Sequence, residues 1–206
     1  PSGVDVARFG RAERSEEIST RWGVSPGDLV VGAVGALEWE KGHAVLLEAA
    51  AAVVREHPRA RFVIGGTGSL AGPLARDISR LGLEGAVRCV PQDEALERIL
   101  PLFDLFVLPS LSEGLSTALM AAMAAGLPVV ASETGGIPEV VTPSCAVLVL
   151  PGSSGDLSRA ITTLLRNEVL RRSMGEEGRK RAALFDIGVT VRRTIEMYDR
   201  VIRERK

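Results

Sequence analysis

The sequence has few of the residues that build metal centres, disulfide frameworks or membrane spans. Its 206 residues include two cysteines and two histidines, and aromatic residues make up only 4%. The cysteines lie in separate apolar stretches and form no CxxC pair, which favours buried free thiols in a reducing compartment. His43 and His57 are too isolated to indicate a metal site. No apolar run reaches the roughly 18 residues that a membrane-spanning helix needs.

Charge of one sign is lacking as well. The 25 Lys and Arg residues are balanced by 26 Asp and Glu residues, which gives a formal net charge of −1 at pH 7. Such a chain has no global field that would attract nucleic acid or an anionic membrane. Locally, residues 171–206 hold eleven basic and six acidic side chains. This excess fits a solvated helix face, and the alternative is contact with an anionic membrane surface or a partner domain.

What the sequence does contain is a regular alternation of short β-branched runs and helical stretches. The runs occupy residues 28–35, 60–66, 86–91, 104–110, 127–132 and 145–151. The helical stretches between them occupy residues 41–57, about 70–82, 93–100, 116–125, 137–141 and 155–166. Runs that are apolar throughout are typical of strands buried on both faces. The alternation therefore predicts an α/β fold, a Rossmann-like doubly wound parallel sheet of about six strands.

The two ends of the chain carry no strand pattern. They are predicted to form a loop, one N-terminal helix and two C-terminal helices: residues 1–10, 11–23, 168–183 and about 187–204. A break is predicted near the LFDIGV stretch between the last two helices. The chain begins with Pro1 and not with Met, which indicates an excised or processed piece, and no signal peptide is visible.

Ligands of a doubly wound sheet bind beyond the carboxyl ends of its strands, so the segment after each strand, called its exit, is where chemistry is expected. The first exit, VGALEWEKGH, contains Gly35, which lets a ligand approach the backbone, and Lys41 at the start of a helix. A cation is unfavourable at that end of a helix dipole. A bound phosphate would offset the repulsion between Lys41 and the helix N-terminus, because both attract it. The alternative is a solvated lysine.

The fourth exit, PSLSEGLSTALM, opens a helix with small and hydroxyl residues. Ser116 or Thr117 can cap this helix, and the free N–H groups of its first turn form an anion site. Glu113 would repel a phosphate and is better suited to accept hydrogen bonds from hydroxyl groups. A ligand with phosphates on one side and a polyol on the other is a nucleotide sugar. The alternative is that Glu113 is a solvated acid in a loop.

The remaining exits carry weaker signals. The glycines of IGGTGSL follow the second run, whereas a nicotinamide-binding fingerprint is expected after the first, so they favour a tight turn that leaves room for a ligand. Val90 and Pro91 either support a nucleobase or end the third strand. The GGIPEVV stretch favours a structural turn over catalysis. Without a Ser-His-Asp set, zinc spacing or a Walker loop, hydrolase and ATPase chemistry lack support.

Five stretches, in this order and spacing, resemble one known family. They are PSGVD at the start of the chain, VGALEWEKG, IGGTG, LPSLSEGLSTALMAAMAAGLPVVAS and GGIPEVV. They resemble the C-terminal, donor-binding domain of retaining glycosyltransferases with the GT-B fold, close to glycosyltransferase family 4, also called group 1. The resemblance extends over nearly the whole chain.

The resemblance implies an organisation and a function. It implies an interdomain crossover segment with an N-terminal helix at 1–24, a Rossmann-like nucleotide-sugar-binding domain at 25–166 and C-terminal helices at 167–206. The chain would be the donor half of a hexosyltransferase that is inactive without an N-terminal acceptor-binding domain. Its donor would be a nucleotide-diphosphosugar, its acceptor is unknown, and neither a metal nor another cofactor is expected. Its implied location is cytoplasmic, with peripheral contact at a membrane as a further option.

The resemblance also implies roles for individual residues. Lys41 would contact the donor diphosphate and Glu113 the sugar hydroxyls, and these two are the catalytic candidates. The backbone amides of Leu115, Ser116 and Thr117 would hold the distal phosphate. The other donor-binding residues are expected to be Gly35, Gly66, Val90, Pro91 and Gly114.

Two positions depart from the family pattern. The arginine expected at the diphosphate is Ala36, and the second of two glutamates separated by seven residues is Ala121. Residues 117 and 121 share a helix face, so a carboxylate at 121 would point at the ligand. Losing two charged hydrogen bonds, each contributing about 1.5–3 kcal/mol, would weaken donor binding by about a hundredfold. The alternatives are therefore a degenerate, non-catalytic sugar-nucleotide-binding or scaffolding domain, and another sugar-nucleotide enzyme such as an epimerase.

Overall fold

Six parallel strands form one sheet within residues 3–10, 13–91 and 95–204, which the computed structural model describes. The strands are β1 (Leu29–Val34), β2 (Ala60–Gly65), β3 (Val87–Val90), β4 (Leu105–Leu108), β5 (Val129–Ser132) and β6 (Ala146–Val149). They are hydrogen-bonded in the order β3-β2-β1-β4-β5-β6, and each neighbouring pair is parallel. The predicted fold class is confirmed, and each predicted run contains one strand.

Ten α-helices accompany the sheet in the same described residues. They are α1 (Val6–Phe9), α2 (Glu16–Arg21), α3 (His43–Glu56), α4 (Ala71–Arg80), α5 (Leu96–Ile99), α6 (Thr117–Ala124), α7 (Ile137–Val140), α8 (Ser154–Arg166), α9 (Glu168–Ala182) and α10 (Ile187–Glu204). The predicted break between the last two helices is a short 3₁₀ turn at Ala183–Phe185.

The largest differences from the predicted helices lie near the N-terminus. The segment predicted to be a loop contains α1, because the Asp5 carboxylate accepts a hydrogen bond from the Arg8 backbone N–H at 3.1 Å and caps the turn. The helix predicted at 11–23 is confined to the six residues of α2, which Ser15 caps. The first residues of the predicted helices 11–23 and 93–100 lie outside the described residues.

Apolar side chains cover both faces of the sheet, which explains why the strands carry so few polar residues. Along β1, Val30 and Val34 belong to one apolar cluster, while Val31 and Ala33 belong to the other. Helices α3, α4 and α8 cover the second cluster, and α5 and α6 cover the first. Each fully buried aliphatic side chain contributes about 1.5–3 kcal/mol, so the two clusters stabilise the sheet whose edge carries the loops.

The order of the strands reverses beside β1. From β1 the chain moves outward to β2 and β3, and it then returns to β4 on the other side of β1. The usual ligand position in doubly wound sheets is the crevice beyond the ends of two such strands, and here the exits of β1 and β4 meet at that position. The two catalytic candidates, Lys41 and Glu113, follow these two strands.

Helix α6, which follows the fourth exit, packs against α9. The two backbones approach closely at glycines, since a Cβ atom at Gly175 would lie 2.1 Å from the Gly126 carbonyl oxygen. Arg179 of α9 donates a hydrogen bond to the Ala125 carbonyl at 3.0 Å, at the end of α6. A cation at the carboxyl end of a helix is favourable for its dipole.

The last helix, α10, carries apolar side chains that little else in the described chain covers. On one face, at spacings of three or four residues, it exposes Ile187, Val191, Ile195, Tyr198 and Ile202. Its start is tied to the N-terminal segment, because Val4 donates to the Phe185 carbonyl and Ile187 donates to the Val4 carbonyl, each at 2.9 Å. No helix within the described residues, α10 included, is both long and apolar enough to span a bilayer.

Candidate functional site

An ion pair joins the exits of β1 and β4. The Lys41 Nζ atom lies 2.9 Å and 3.0 Å from the two carboxylate oxygens of Glu113. The Ser110 hydroxyl donates a third hydrogen bond to the same carboxylate at 3.1 Å. The side chain of Glu113 is only 9% exposed and that of Lys41 is 24% exposed, so solvent screens this pair less than a surface ion pair. The two residues singled out as catalytic candidates are therefore in direct contact.

The turn that carries Lys41 is fixed against the exit of β4 by backbone contacts. Residues Trp39–Lys41 form a 3₁₀ turn, which ends at Gly42 with a φ of +66°. The Glu40 carbonyl accepts a hydrogen bond from the Leu111 N–H at 2.7 Å. A Cβ atom at Gly42 would lie 2.0 Å from the Pro109 carbonyl oxygen, so the two exits touch where only glycine fits. Trp39, in contrast, is 70% exposed.

The start of α6 lies beside this pair in sequence and leaves backbone donors free. Ser116 is the N-cap, and its hydroxyl accepts a hydrogen bond from the Leu119 N–H at 3.3 Å. One of the two predicted capping residues is thus identified. Gly114, Leu115 and Thr117 are exposed. The N–H groups of a first helical turn have no intrahelical acceptor, so they are available to an anion.

The exit of β5 supports Glu113 from the side. Gly135 has a φ of +53°, and a Cβ atom there would lie 1.7 Å from the Glu113 carbonyl oxygen. At the neighbouring Gly136 a Cβ atom would lie 2.9 Å from the Gly114 carbonyl oxygen. The Thr134 hydroxyl donates to the Leu111 carbonyl at 3.3 Å. These contacts fit the interpretation of GGIPEVV as a structural turn.

The exit of β2 packs against the exit of β1. The Gly35 N–H donates to the Gly65 carbonyl at 3.0 Å, and a Cβ atom at Gly66 would lie 1.9 Å from the Gly35 carbonyl oxygen. The Glu38 carboxylate accepts hydrogen bonds from the hydroxyl and the backbone N–H of Ser69. These bonds, that of the hydroxyl first, lower the pKa of Glu38. The glycines of this exit therefore form a close turn, as predicted. The room for a ligand that was also predicted is filled at Gly66 by the Gly35 carbonyl and at Gly68 by the Leu37 carbonyl.

Val90 and Pro91, the predicted base-binding pair, lie farther along the sheet. Their strand, β3, is separated from β1 by β2. The Val90 side chain is buried in an apolar cluster at 6% exposure, whereas Pro91 is exposed. The Val90 side chain is therefore part of the apolar core. Contact with a base through Pro91 stays a prediction.

The two alanines that depart from the family pattern occupy different environments. Ala36 is exposed at the exit of β1. Ala121 is 1% exposed within an apolar cluster, although Thr117, one turn earlier on α6, is exposed. The Ala121 side chain therefore lies in the core, and the expectation that a carboxylate at this position would point at the ligand stays a prediction.

One residue of this region, His43, was not predicted from the sequence. Its side chain is 2% exposed at the first position of α3, and its Nε2 atom lies 3.1 Å from the Ala36 carbonyl oxygen. Burial, more than any other cause, lowers the pKa of His43; the bond to Ala36 raises it and the charge of Lys41 lowers it. Its position directly after a glycine at a helix start was a signal that could have found it. Within the described residues, no group of three His, Cys, Asp or Glu side chains could hold a metal ion.

The sequence matches known proteins over most of its length. A family model described as "Glycosyl transferases group 1" matches residues 14–181. The D-inositol 3-phosphate glycosyltransferase of Corynebacterium jeikeium (strain K411) is 31% identical over 212 residues, which cover 97% of this chain and 50% of that protein. The chain therefore spans about half the length of this relative.

Solved structures share the fold. HepE from Anabaena in complex with UDP has a TM-score of 0.86 at 24% identity, and the match covers 96% of this chain and 56% of that chain. The C-terminal domain of a glycosyl transferase group 1 family protein (LpcC) from Francisella tularensis has a TM-score of 0.77 at 22% identity, covering 90% of this chain and all of that chain, 100%. At these identities the likeness concerns the fold, which is Rossmann-like and of the GT-B type.

Proposed function

The chain belongs to the group 1 glycosyltransferases, and from this premise we propose that it is the donor-binding half of a retaining enzyme of family 4. The observation that carries the proposal is the Lys41–Glu113 ion pair, which lies in the crevice between β1 and β4. The pair offers one cation and one carboxylate beside the free amides of α6. A ligand with a diphosphate and a sugar presents complementary groups.

We assign the diphosphate to Lys41 and to the backbone amides of Leu115, Ser116 and Thr117. A lysine and a helix N-terminus both stabilise negative charge, and no metal is required if they do so together. Gly35, Gly66 and Gly114 would line the path of the donor. A Cβ atom at Gly114 would meet nothing within 4 Å, which leaves room there, whereas the absence of a side chain at Gly66 lets the backbone pack on the Gly35 carbonyl. HepE, which shares this fold, was solved in complex with UDP, and this supports a nucleoside diphosphate as the ligand class.

Glu113 is assigned to the hydroxyl groups of the donor sugar, a hexose in this proposal. During transfer, the bond between the anomeric carbon and the phosphate oxygen breaks, and negative charge grows on the leaving diphosphate. A new bond forms between the anomeric carbon and a hydroxyl oxygen of the acceptor, whose proton passes to the leaving diphosphate. Lys41 and the amides of α6 would stabilise that charge in a partly desolvated crevice, where electrostatic stabilisation is most effective. The anomeric carbon keeps its configuration in the product.

Calorimetric titration with UDP-glucose, GDP-mannose and ADP-glucose tests the proposal. Measurable binding of at least one donor is expected. The absence of binding to all three would favour the scaffolding form of the second candidate function, a degenerate domain, for which the alanines at positions 36 and 121 are the specific observation. An activity assay on the longer polypeptide then decides between turnover and binding alone.

Replacing Glu113 with alanine is expected to weaken binding of the nucleotide sugar by about 10- to 100-fold, because hydrogen bonds to a charged group are lost. The affinity for the free nucleoside diphosphate should be unchanged or higher, since Lys41 is released from its ion pair. Calorimetry with both ligands measures the difference. Glu113→Gln, which keeps hydrogen-bonding groups without the charge, is the matched variant and should lose less. Equal losses for both ligands would contradict the assignment.

The acceptor would be bound by an N-terminal half, and we infer that this half covers the apolar face of α10. The relatives' length leaves room for such a half, because this chain matches 50% of the first relative. The chain by itself is expected to transfer nothing. A cytoplasmic location is part of the same proposal. If α10 contacted an anionic membrane and not the N-terminal half, the chain would bind to phosphatidylserine vesicles.

Hydrogen exchange can test the covering of α10. In a polypeptide that joins both halves, the amides of residues 187–204 should exchange at least about tenfold more slowly than in this chain alone, because covered helices open less often. Helix α9, which already packs on α6 within this chain, is the internal control and should change little. Identical exchange of α10 in the two polypeptides would overturn the inferred contact.

A further inference from the structure

A side chain closes the loop that carries Lys41. The His43 Nε2 atom and the Ala36 carbonyl oxygen, seven residues apart in sequence, are 3.1 Å from each other. The turn with Lys41 lies between these two points. Because a lysine side chain has four rotatable bonds, its ammonium group keeps one position only if the backbone beneath it is also fixed.

The chemistry of the contact determines the state of the imidazole. A carbonyl oxygen only accepts hydrogen bonds, so Nε2 must carry the proton and donate. In the neutral ring Nδ1 is then a bare acceptor, and it is buried without a partner among the described residues. A second proton on Nδ1 would be placed in a desolvated position next to the charge of Lys41. The geometry thus selects the neutral Nε2–H form.

The other attachments of this loop act at different points. Glu38 ties it to Ser69 at the exit of β2, and the Glu40 carbonyl ties it to Leu111 at the exit of β4. His43 is the contact that joins the first residues of the loop to the helix at its far end, α3. The interior of the loop is held at Leu37, whose N–H donates to the Thr67 carbonyl and whose carbonyl accepts from the Leu70 N–H, each at 2.8 Å. Among these contacts, the bond between His43 and Ala36 is the one that links the two ends of the loop directly.

We propose that His43 is a positioning residue, which holds the 36–43 loop closed so that Lys41 stays in front of Glu113. The functional part of this inference rests on the proposed function, since it supposes that Lys41 receives the diphosphate. The structural part stands without it. A residue that only filled space at this position would be replaceable by any apolar side chain of similar volume.

Three variants separate these roles. In His43→Gln the side-chain N–H donor can occupy about the place of Nε2, in His43→Asn the donor falls short of it, and in His43→Leu the volume is kept without a donor. Binding of UDP by calorimetry and hydrogen exchange of residues 37–42 are measured on the chain and on each variant. A thermal melt of each variant confirms that it is folded.

His43→Gln is expected to bind UDP within about threefold of the unmodified chain, whereas His43→Leu and His43→Asn should bind about tenfold more weakly, as expected for one lost hydrogen bond. Exchange of residues 37–42 should rise about tenfold in the latter two only. Leucine behaving like glutamine in both measurements would overturn the proposal. If UDP does not bind the unmodified chain, the proposed function fails for this donor class, and the exchange data still decide the role of His43.

Discussion

Replacement of Lys41 by alanine is expected to weaken binding of a nucleoside diphosphate by about 10- to 150-fold. The lost hydrogen bonds join a charged donor to a charged acceptor, and such bonds contribute about 1.5–3 kcal/mol. A second effect acts in the same direction. Glu113, whose side chain is 9% exposed, would lose its counter-ion and repel the phosphate. Calorimetric titration of UDP, GDP or ADP, whichever binds the unmodified chain, measures the loss.

Lys180→Ala is the matched control for this experiment. Lys180 forms an ion pair with Glu177 on α9, and its side chain is 71% exposed. The substitution removes the same charge from the protein without touching the crevice. Because exposed ion pairs contribute little, the affinity for the nucleotide should change by no more than about twofold. Lys41→Arg should fall between the two, because the charge is kept and the geometry is not. Equal affinities of Lys41→Ala and Lys180→Ala would exclude the diphosphate role.

Replacement of Gly135 by alanine is expected to lower the free energy of unfolding by about 2–5 kcal/mol. A left-handed backbone costs a residue with a Cβ atom about 1–2 kcal/mol, and forcing atoms into a filled space costs about 1–3 kcal/mol more. Both apply here, since φ is +53° and the new Cβ would lie 1.7 Å from the Glu113 carbonyl oxygen. Urea unfolding measures the loss. Nucleotide-sugar binding should fall too, because the backbone of Glu113 must shift.

The chain contains a glycine that isolates the two costs. Gly82 has a φ of +65°, and a Cβ atom there would meet nothing within 4 Å. Gly82→Ala should therefore show only the backbone cost of about 1–2 kcal/mol, and donor affinity should not change. The difference between the two variants is the contribution of the contact between Gly135 and Glu113. Equal losses of stability would mean that this contact adapts freely and does not hold Glu113 in place.

The strands could be predicted because their cause is local. A run such as DLVVGAV is apolar at nearly every position, and only burial on both faces makes such a run favourable in water. The same holds for Ser116, whose capping role depends on residues three positions away. The parallel direction of the strands could be predicted because a helical stretch lies between successive strands, and parallel strands need such a crossover connection.

The contact between Lys41 and Glu113 could not be derived from local pattern, since 72 positions separate them. A role for each was predicted from the sequence, and the reversal of strand order beside β1 brings them together. Val90 shows the opposite case. Its position at the end of a strand suggested a surface for a base, but the pattern does not state how deep a strand end lies, and its side chain is buried. His43 was missed because its partner is a backbone carbonyl, which no side-chain motif reveals.

The crevice is assembled from backbone pressed on backbone: Gly42 on Pro109, Gly66 on Gly35 and Gly135 on Glu113. Its frame thus depends on a few positions that admit a single residue type, while the side chains of Ala36, Trp39 and Ser112 are exposed beside it. Under the proposed function, substitutions at these exposed positions are expected to change donor preference without disrupting the fold. A library randomised at the three exposed sites should consequently yield mostly folded proteins, and it is the natural starting point for altering selectivity.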